Sequence, residues 1–196
     1  SADGTSLRRA FAVNALSHFW TGRAFLPAML TDGAGCVVTV SSLMAGLPAA
    51  RLTDYCAAKA AVTQLHECLR WELRARRAPH GVRCLLVQTY LLDTPLFAGG
   101  QPADGLLLGW LFPALKAEVV AERVVDAVLH RRERLVLPWM GRCLAPLLQL
   151  LPLALRDMAL ELAGARTAMD TFRGRGRPHA SVGAELELSR RRISNS

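Results

Sequence analysis

Apolar side chains recur at helical spacing in three long stretches of the chain. Residues 5–30 carry them three and four positions apart, and the TDGAG that follows is typical of a turn. The same period runs through residues 55–76, which stop at RAPHG, and through residues 116–130. The pattern predicts three amphipathic helices, each packing one face on a common core.

Short apolar runs separate these helices. Residues 36–42, 82–91 and 134–139 are rich in Val and Leu and have little polar alternation, which is typical of strands buried on both faces of a parallel sheet. The order helix, strand, helix, strand, helix, strand predicts right-handed crossovers and a doubly wound α/β layer. Three strands are few for such a sheet, so we expect this chain to be its C-terminal part only.

The chain divides into three parts. Residues 1–134 carry the alternating pattern and are predicted to form the α/β domain. Residues 135–172 hold the last strand and an apolar segment, and residues 173–196 form a basic tail with six Arg against two Glu. We interpret the tail as flexible, with a partner or an anionic lipid as the alternative role.

Composition narrows the classes of function. The chain has 196 residues, is 52% hydrophobic and has a formal net charge of +8. Of its 24 basic residues, only two are Lys and the others are Arg. The Arg residues are spread along amphipathic stretches, so we expect no nucleic-acid partner. Five Cys without a C-x-x-C pair indicate reduced thiols, and the scattered His and Cys predict no metal site.

A tyrosine and a lysine stand four residues apart in a chain that has only two of each. Tyr55 and Lys59 would share one face of the second predicted helix. Ser42 ends the first predicted strand thirteen residues before Tyr55, Thr94 follows the second strand, and Asn14 lies in the preceding helix. Because ligands bind outside the carboxyl ends of strands in doubly wound sheets, we expect these residues at one edge.

This combination resembles the short-chain dehydrogenase/reductase family, whose signature is Tyr-x-x-x-Lys with a Ser thirteen residues earlier and an Asn on the preceding helix. The resemblance implies a Rossmann-like fold and hydride transfer with a nicotinamide cofactor. It implies that Tyr55 is the acid, that Lys59 lowers the pKa of Tyr55 and holds the nicotinamide ribose, and that Ser42 polarises the carbonyl. Asn14 would hold a proton-relay water, and Thr94 would anchor the nicotinamide carboxamide.

Simpler interpretations exist for the same residues. Tyr55 could be a packing residue of an amphipathic helix, and Lys59 a solvated charge. Asn14 could be an exposed polar residue, Ser41 is better explained as a capping or loop residue, and Asp93 as the cap of a turn. The spacing that Ser42, Tyr55 and Lys59 share favours the catalytic interpretation.

The chain departs from the family's pattern in two places. Thr89 stands where most members have a Pro after the second strand. The Gly-x-x-x-Gly-x-Gly turn and the Asn-Asn-Ala-Gly stretch are absent, and both precede Asn14 in the family. We therefore expect the C-terminal two thirds of the enzyme, with weak NADPH binding by these 196 residues alone. NADP(H) is the expected cofactor, with NAD(H) as the alternative.

Further stretches resemble the retinoid-active, membrane-associated branch of the family. This resemblance implies reduction of all-trans-retinal to retinol, with steroids or long-chain alcohols as alternative substrates and a catalytically silent membrane or lipid-droplet protein as an alternative function. The apolar residues 105–115 could cover the substrate or form a core helix.

The apolar segment suggests a location for the protein. The run 143–155 is shorter than a spanning helix needs and contains two prolines, so residues 135–163 are predicted to lie in a membrane interface. The resemblance implies the cytosolic face of the endoplasmic reticulum membrane or of a lipid droplet. The alternative is packing on the sheet or on a second subunit of a homodimer.

Overall fold

The computed structural model describes residues 4–76, 81–100, 112–167 and 169–171. Helices and parallel strands alternate through these ranges, as the hydrophobic pattern predicts. In chain order the elements are α1 (Gly4–Phe11), a π-helical turn (Ala12–Leu16), α2 (Ser17–Asp32), β1 (Ala34–Ser42), α3 (Thr53–Ala75), β2 (Gly81–Thr89), β3 (Leu92–Asp93), β4 (Leu115–Lys116), α4 (Ala117–Leu129), β5 (Arg134–Leu137), α5 (Gly141–Leu150) and α6 (Leu153–Leu162).

The three predicted strands are confirmed and form one parallel sheet. Within the described ranges the strand order is β1–β2–β5, with β2 in the middle. Ser42 lies opposite Thr89, and Thr89 lies opposite Leu137, so the carboxyl ends of the strands are level. Leu85, Leu86 and Val87 of β2 are fully buried, which explains why this strand reads as a continuous apolar run.

The first predicted helix is confirmed, but it is interrupted. The backbone changes to a π-helical turn at Ala12–Leu16 before α2 continues to Asp32. Gly33 ends α2 in the left-handed conformation with φ of 65°, and its N–H bonds to the carbonyl oxygen of Met29. Glycine adopts this conformation without the penalty of a Cβ atom, which explains the predicted turn.

Polar side chains attach α3 to β1. The hydroxyl groups of Ser41 and Thr63 are 2.6 Å apart, and Thr39 Oγ1 lies 2.9 Å from Nδ1 of His66. Ser41 also donates to the carbonyl oxygen of Lys59 at 3.1 Å. Buried hydroxyl groups need hydrogen-bond partners, so these bonds fix how α3 is rotated about its axis and where it lies along β1.

The apolar segment after β5 forms two packed helices. Gly141 begins α5 so close to Leu43 that a Cβ atom there would lie 2.7 Å from Leu43 Cδ1. Gln149, near the end of α5, donates from Nε2 to the carbonyl oxygen of Gly46 at 2.9 Å. Across the described ranges no helix is both long and apolar enough to cross a bilayer.

Two predicted segments lie partly or wholly outside the described residues. Residues 105–111 of the predicted substrate-covering stretch and the basic tail 173–196 lie outside the described residues. The end of that stretch, from Phe112, is described, and Leu115 belongs to β4, which pairs with β3. The sequence pattern did not predict this short pair.

Candidate active site

Ser42 is the last residue of β1 and begins the next turn. Its Oγ accepts a hydrogen bond from the N–H of Met44 at 3.2 Å and so caps the short turn that follows the strand. The same hydroxyl donates to the carbonyl oxygen of Thr89 at 3.2 Å. Ser42 is only 4% exposed, so two backbone contacts hold its oxygen in one position at the carboxyl edge of the sheet.

Tyr55 lies in the first turn of α3 and reaches the same edge. Its N–H donates to Asp54 Oδ1 at 2.9 Å, which stabilises the start of the helix. The side chain of Ser42 neighbours the phenol, and both line the same cavity. Burial raises the pKa of Tyr55 above its ordinary value, and the hydroxyl group of Ser42 opposes this effect. The phenol is therefore protonated at neutral pH and can act as an acid.

Lys59 lies one helical turn beyond Tyr55. Its Nζ donates to the carbonyl oxygen of Val40 at 3.1 Å and lies 5.7 Å from the centre of the Tyr55 ring. Burial lowers the pKa of Lys59. The net pKa shift of Tyr55 is upward because burial dominates, and the ammonium group of Lys59 is turned toward Val40. That Lys59 lowers the pKa of Tyr55 stays a prediction.

Asn14 lies in the π-helical turn, which packs against α3. Its Nδ2 donates to the carbonyl oxygen of Ala10 at 3.0 Å, and the side chain is half-buried rather than exposed. A π-helical turn widens the helix at this point, and such turns are frequent at functional sites. The structure therefore distinguishes Asn14 from an ordinary surface residue, while its role stays a prediction.

Thr94 lies on the loop beyond β2, two residues after β3 begins. Its N–H bonds to the carbonyl oxygen of Leu92, and its own carbonyl oxygen accepts from Phe97, both at 2.9 Å. The side chain is half-buried, whereas Asp93 beside it is exposed. The loop is thus ordered by its backbone at the edge where Ser42 and Tyr55 meet.

Sequence reasoning missed His18. It lies four residues after Asn14, so both share a face of the first helical segment. The pKa of His18 is lowered by burial and, to a smaller extent, by the charge of Lys59. A lone helical His gives no signal in a single sequence, and only the packing of the helix against α3 reveals that it neighbours the lysine.

An apolar cavity opens beside the hydroxyl groups of Ser42 and Tyr55. Two aromatic contacts shape its wall: Phe97 stands edge-on to Tyr55 with ring centres 6.1 Å apart, and Tyr90 contacts Phe112 at 5.5 Å. Hydroxyl groups supply the polar atoms among the described side chains of the wall, and none of these side chains is charged. The lining residues are Ser42, Leu43, Met44, Leu47, Pro48, Ala49, Leu52, Tyr55, Tyr90, Leu91, Phe97, Phe112, Leu144, Leu148, Leu160, Ala163, Ala165 and Met169.

The C-terminal helices form part of this cavity. Leu144 and Leu148 of α5 and Leu160 of α6 line it from the side opposite the sheet. One face of α5 and α6 therefore packs over the site, which agrees with the packing alternative for residues 135–163.

The sequence matches the model of the short chain dehydrogenase family over residues 2–104. This is more than half of the chain, and the match includes Ser42, Tyr55, Lys59, Asn14 and Thr94. The chain belongs to the short-chain dehydrogenase family.

Curated relatives extend the similarity beyond that range. Human "Short-chain dehydrogenase/reductase 3" is 34% identical over 174 residues, which is 89% of this chain and 55% of that protein. Human "Retinol dehydrogenase 10" is 35% identical over 132 residues, covering 67% of this chain and 38% of that protein. The chain spans about half the length of the first of these relatives and less of the second.

Solved structures support the same fold. A short chain dehydrogenase from Burkholderia cenocepacia, determined in complex with NADP, superposes with a TM-score of 0.66 at 24% identity. The match covers 82% of this chain and 61% of that one. A short-chain dehydrogenase from Streptomyces avermitilis gives a TM-score of 0.58 at 24% identity, over 83% of this chain and 61% of its own. The Rossmann-like class expected from the sequence is therefore confirmed.

Proposed function

We propose that the protein is a nicotinamide-dependent oxidoreductase that interconverts an apolar carbonyl compound and its alcohol. The observation that carries this proposal is that Tyr55 and Ser42 lie side by side in the wall of one apolar cavity. A protonated phenol and a serine hydroxyl can together bind one carbonyl oxygen. Apart from Tyr90, the other described residues of the wall offer apolar side chains to the rest of the substrate.

The residues at the sheet edge fit the nicotinamide half of a dinucleotide. Lys59 has three N–H donors, of which Val40 takes one, and the others suit the hydroxyl groups of a ribose. Thr94 is held by backbone bonds on the neighbouring loop, where its side chain suits an amide group. We propose Tyr55, Lys59 and Thr94 as the cofactor-binding residues and NADP(H) as the cofactor, with NAD(H) as the alternative.

The chain's own residues bind the substrate oxygen and supply its proton. When bound, the nicotinamide supplies the hydride that reduces the carbonyl carbon. Ser42 orients the oxygen by hydrogen bonding, and Tyr55 transfers its proton to that oxygen as negative charge develops there. Lys59 stabilises the resulting tyrosinate if its ammonium group turns from Val40 toward the phenol. His18 neighbours this lysine from the first helical segment, four residues after Asn14.

All-trans-retinal is the substrate we propose. Its aldehyde oxygen would meet Ser42 and Tyr55, and its apolar body would contact the side chains of α5 and α6. The named activity of the "Retinol dehydrogenase 10" relatives supports a retinoid. Steroids and long-chain alcohols are the alternatives, since they share an apolar body with one polar oxygen.

A turnover assay tests the substrate and cofactor together. The purified full-length protein is incubated with all-trans-retinal, a steroid ketone or a long-chain aldehyde, each with NADPH or NADH, and products are separated by chromatography. We expect retinol, with higher kcat/KM for NADPH. Reduction of only the steroid or the aliphatic aldehyde would replace the retinoid assignment, and no reduction of any of them would contradict the function.

We also propose that the outer face of α5 and α6 contacts a lipid surface of the endoplasmic reticulum or a lipid droplet. Leu150 and Leu162 are 82% and 70% exposed on these helices, and Trp139 is 70% exposed just before them. Arg142, in the first turn of α5, suits the headgroup region. The same helices line the cavity with their inner face, so an apolar substrate would have a short path from lipid.

Flotation with vesicles of neutral lipid tests this surface without disturbing the cavity. Replacing Leu150 and Leu162 by Ser in the full-length protein should lower the floated fraction, while Leu129→Ser, at a position 73% exposed on α4, should leave it unchanged. Equal flotation of all forms would contradict the surface. A dimer lost in the double variant, with flotation unchanged, would assign the face to a second subunit.

A further inference from the structure

The last described residues cross the cavity between two loops. We define the strap as residues 164–167 and 169–171. The carbonyl oxygen of Ala165 accepts a hydrogen bond from the N–H of Ala50 at 3.1 Å, on the loop between Ser42 and α3. At the other end, Thr171 Oγ1 donates to the carbonyl oxygen of Gly99 at 2.7 Å, on the loop after β2. The strap therefore joins the two loops that bracket the site.

An ion pair closes one end of the strap. Arg51 Nη1 lies 3.2 Å from Asp170 Oδ1 and 3.5 Å from the carbonyl oxygen of the same residue. The two side chains are 41% and 45% exposed, so the pair lies at the rim of the cavity and not in its interior. A pair at this depth is sensitive to salt and can break without unfolding the sheet.

Arg51 also has an unfavourable backbone conformation. Its φ is 66°, in the left-handed region that residues with a Cβ atom rarely adopt. The neighbours on both sides are fixed by other contacts: Ala50 bonds to the strap, and Leu52 is buried in the cavity wall. The strap thus stabilises an unfavourable conformation of the loop that carries Arg51. Without the strap, this loop would change conformation more readily.

We propose that Arg51 and Asp170 are the latch of the strap and determine how strongly the cavity retains an apolar substrate. This inference rests on the proposed function, because it assumes that the cavity is the substrate site. While the latch is closed, Ala165 and Met169 cover the cavity. When it opens, the loop around Arg51 relaxes and that wall moves away. Ser42 is fixed to the sheet, so opening changes retention rather than chemistry.

Kinetics of the full-length protein give the first test. Asp170→Asn keeps the size of the side chain but removes its charge. We expect the dissociation rate of retinol, followed by its fluorescence, and the KM for a long-chain aldehyde to rise about three- to five-fold, the upper part of the range for an exposed ion pair. The kcat, and the KM for a short-chain aldehyde, should stay within about two-fold of the parental values.

Matched variants identify the pair as the cause. Asp126→Asn removes a different exposed ion pair, with Arg132 at 3.3 Å, which involves no residue of the strap or of the cavity wall, and should change none of these values. Exchanging the charges, with Arg51→Asp and Asp170→Arg together, should recover part of the retention lost in Asp170→Asn. Equal effects of Asp126→Asn and Asp170→Asn would contradict a specific latch.

Hydrogen exchange tests the latch independently of any substrate. The amide of Ala50 bonds to the strap, so its exchange should accelerate in Asp170→Asn and not in Asp126→Asn. Unchanged exchange would overturn the latch. Faster exchange with unchanged retinol dissociation and normal turnover would overturn its role in retention while the proposed function stands. If the parental protein reduces no substrate, the proposed function and the retention role both fail, and the exchange result still decides whether the latch exists.

Discussion

The hydroxyl group of Ser42 donates a hydrogen bond to the main-chain carbonyl oxygen of Thr89, 3.2 Å away, and so joins the carboxyl ends of two neighbouring strands. The same oxygen accepts from Met44 and neighbours the phenol of Tyr55. One serine thus connects the sheet with the turn that follows β1, beside the start of α3. Its position depends on backbone atoms, which substitutions of neighbouring side chains change little.

Comparing Ser42→Ala with Ser41→Ala should separate a loss of catalytic rate from a loss of folding stability. In Ser42→Ala the substrate oxygen loses a positioned donor, so kcat/KM should fall about 100-fold. Ser41→Ala is the matched control: it removes the bonds to Thr63 and to the carbonyl oxygen of Lys59, and should lower the free energy of unfolding by about 1 kcal/mol with a much smaller loss of rate. Steady-state kinetics and urea unfolding of both variants test this, and similar losses of rate in both would contradict the role of Ser42.

Phenol titration tests the environment of Tyr55. Its pKa is raised above 10, chiefly by burial, so in the cofactor-free protein the phenol should ionise later than an exposed tyrosine. Subtracting the ultraviolet titration of Tyr55→Phe from that of the parental protein isolates this residue, because Tyr90 is present in both. A midpoint near neutral pH would show that the charge of Lys59 outweighs burial and that the ammonium group faces the phenol.

His66 should make the fold sensitive to mild acid. It is 1% exposed, Nδ1 contacts Thr39, and Nε2 has no hydrogen-bond partner. Burial lowers the pKa of His66; Arg70, Arg134 and His18 lower it further, and Glu67 opposes them. A pKa below the unfolded value of about 6.5 contributes stability that is present above that pH and lost as the pH falls through the folded pKa.

The free energy of unfolding should therefore decrease between about pH 7 and about pH 5 more steeply in the parental protein than in His66→Leu. Urea unfolding at the two pH values measures this difference. The variant leaves the hydroxyl of Thr39 without this partner, so it should be less stable at neutral pH. Parallel pH dependence in both proteins would show that His66 does not titrate with folding.

Two glycines lie where α5 contacts the turn after β1, and they should respond differently to an added methyl group. A Cβ atom at Gly141 would lie 2.7 and 3.0 Å from the two methyl carbons of Leu43 and 3.3 Å from Val136, inside the core. At Gly46 the close atom is Gln149 Nε2 at 2.6 Å, the end of a flexible side chain. Gly141→Ala should cost about 1–3 kcal/mol by overpacking, and Gly46→Ala less. Equal unfolding free energies of the two variants would contradict close packing of α5 on the turn after Ser42.

Most of the fold could be predicted because its signals are local. The apolar run in β2 and the helical period around Tyr55 each lie within a short window of sequence, and α3 begins within two residues of its predicted start. The spacing of Ser42, Tyr55 and Lys59 also survives folding, because a strand end and a helix start hold these residues at the same edge. The sequence alone could therefore predict that these three residues lie close together.

The rest of the site depends on contacts between residues distant in sequence. Arg51 and Asp170 are separated by 119 positions, and the approach of Gln149 to Gly46 spans 103, so no local pattern reports them. The direction of Lys59 also escaped prediction, because it depends on one carbonyl group of β1. For the same reason the apolar period of α5 could not show which face lines the cavity and which is exposed.

Turnover by Tyr55→Phe in the full-length protein tests the proposed chemistry most directly. The substitution removes one oxygen atom and keeps the ring that packs edge-on to Phe97, so the thermal midpoint of unfolding should change little. Without the phenol proton, single-turnover reduction of all-trans-retinal should slow by at least about 100-fold. Reduction at the parental rate by the folded variant would contradict the assignment of Tyr55 as the proton donor.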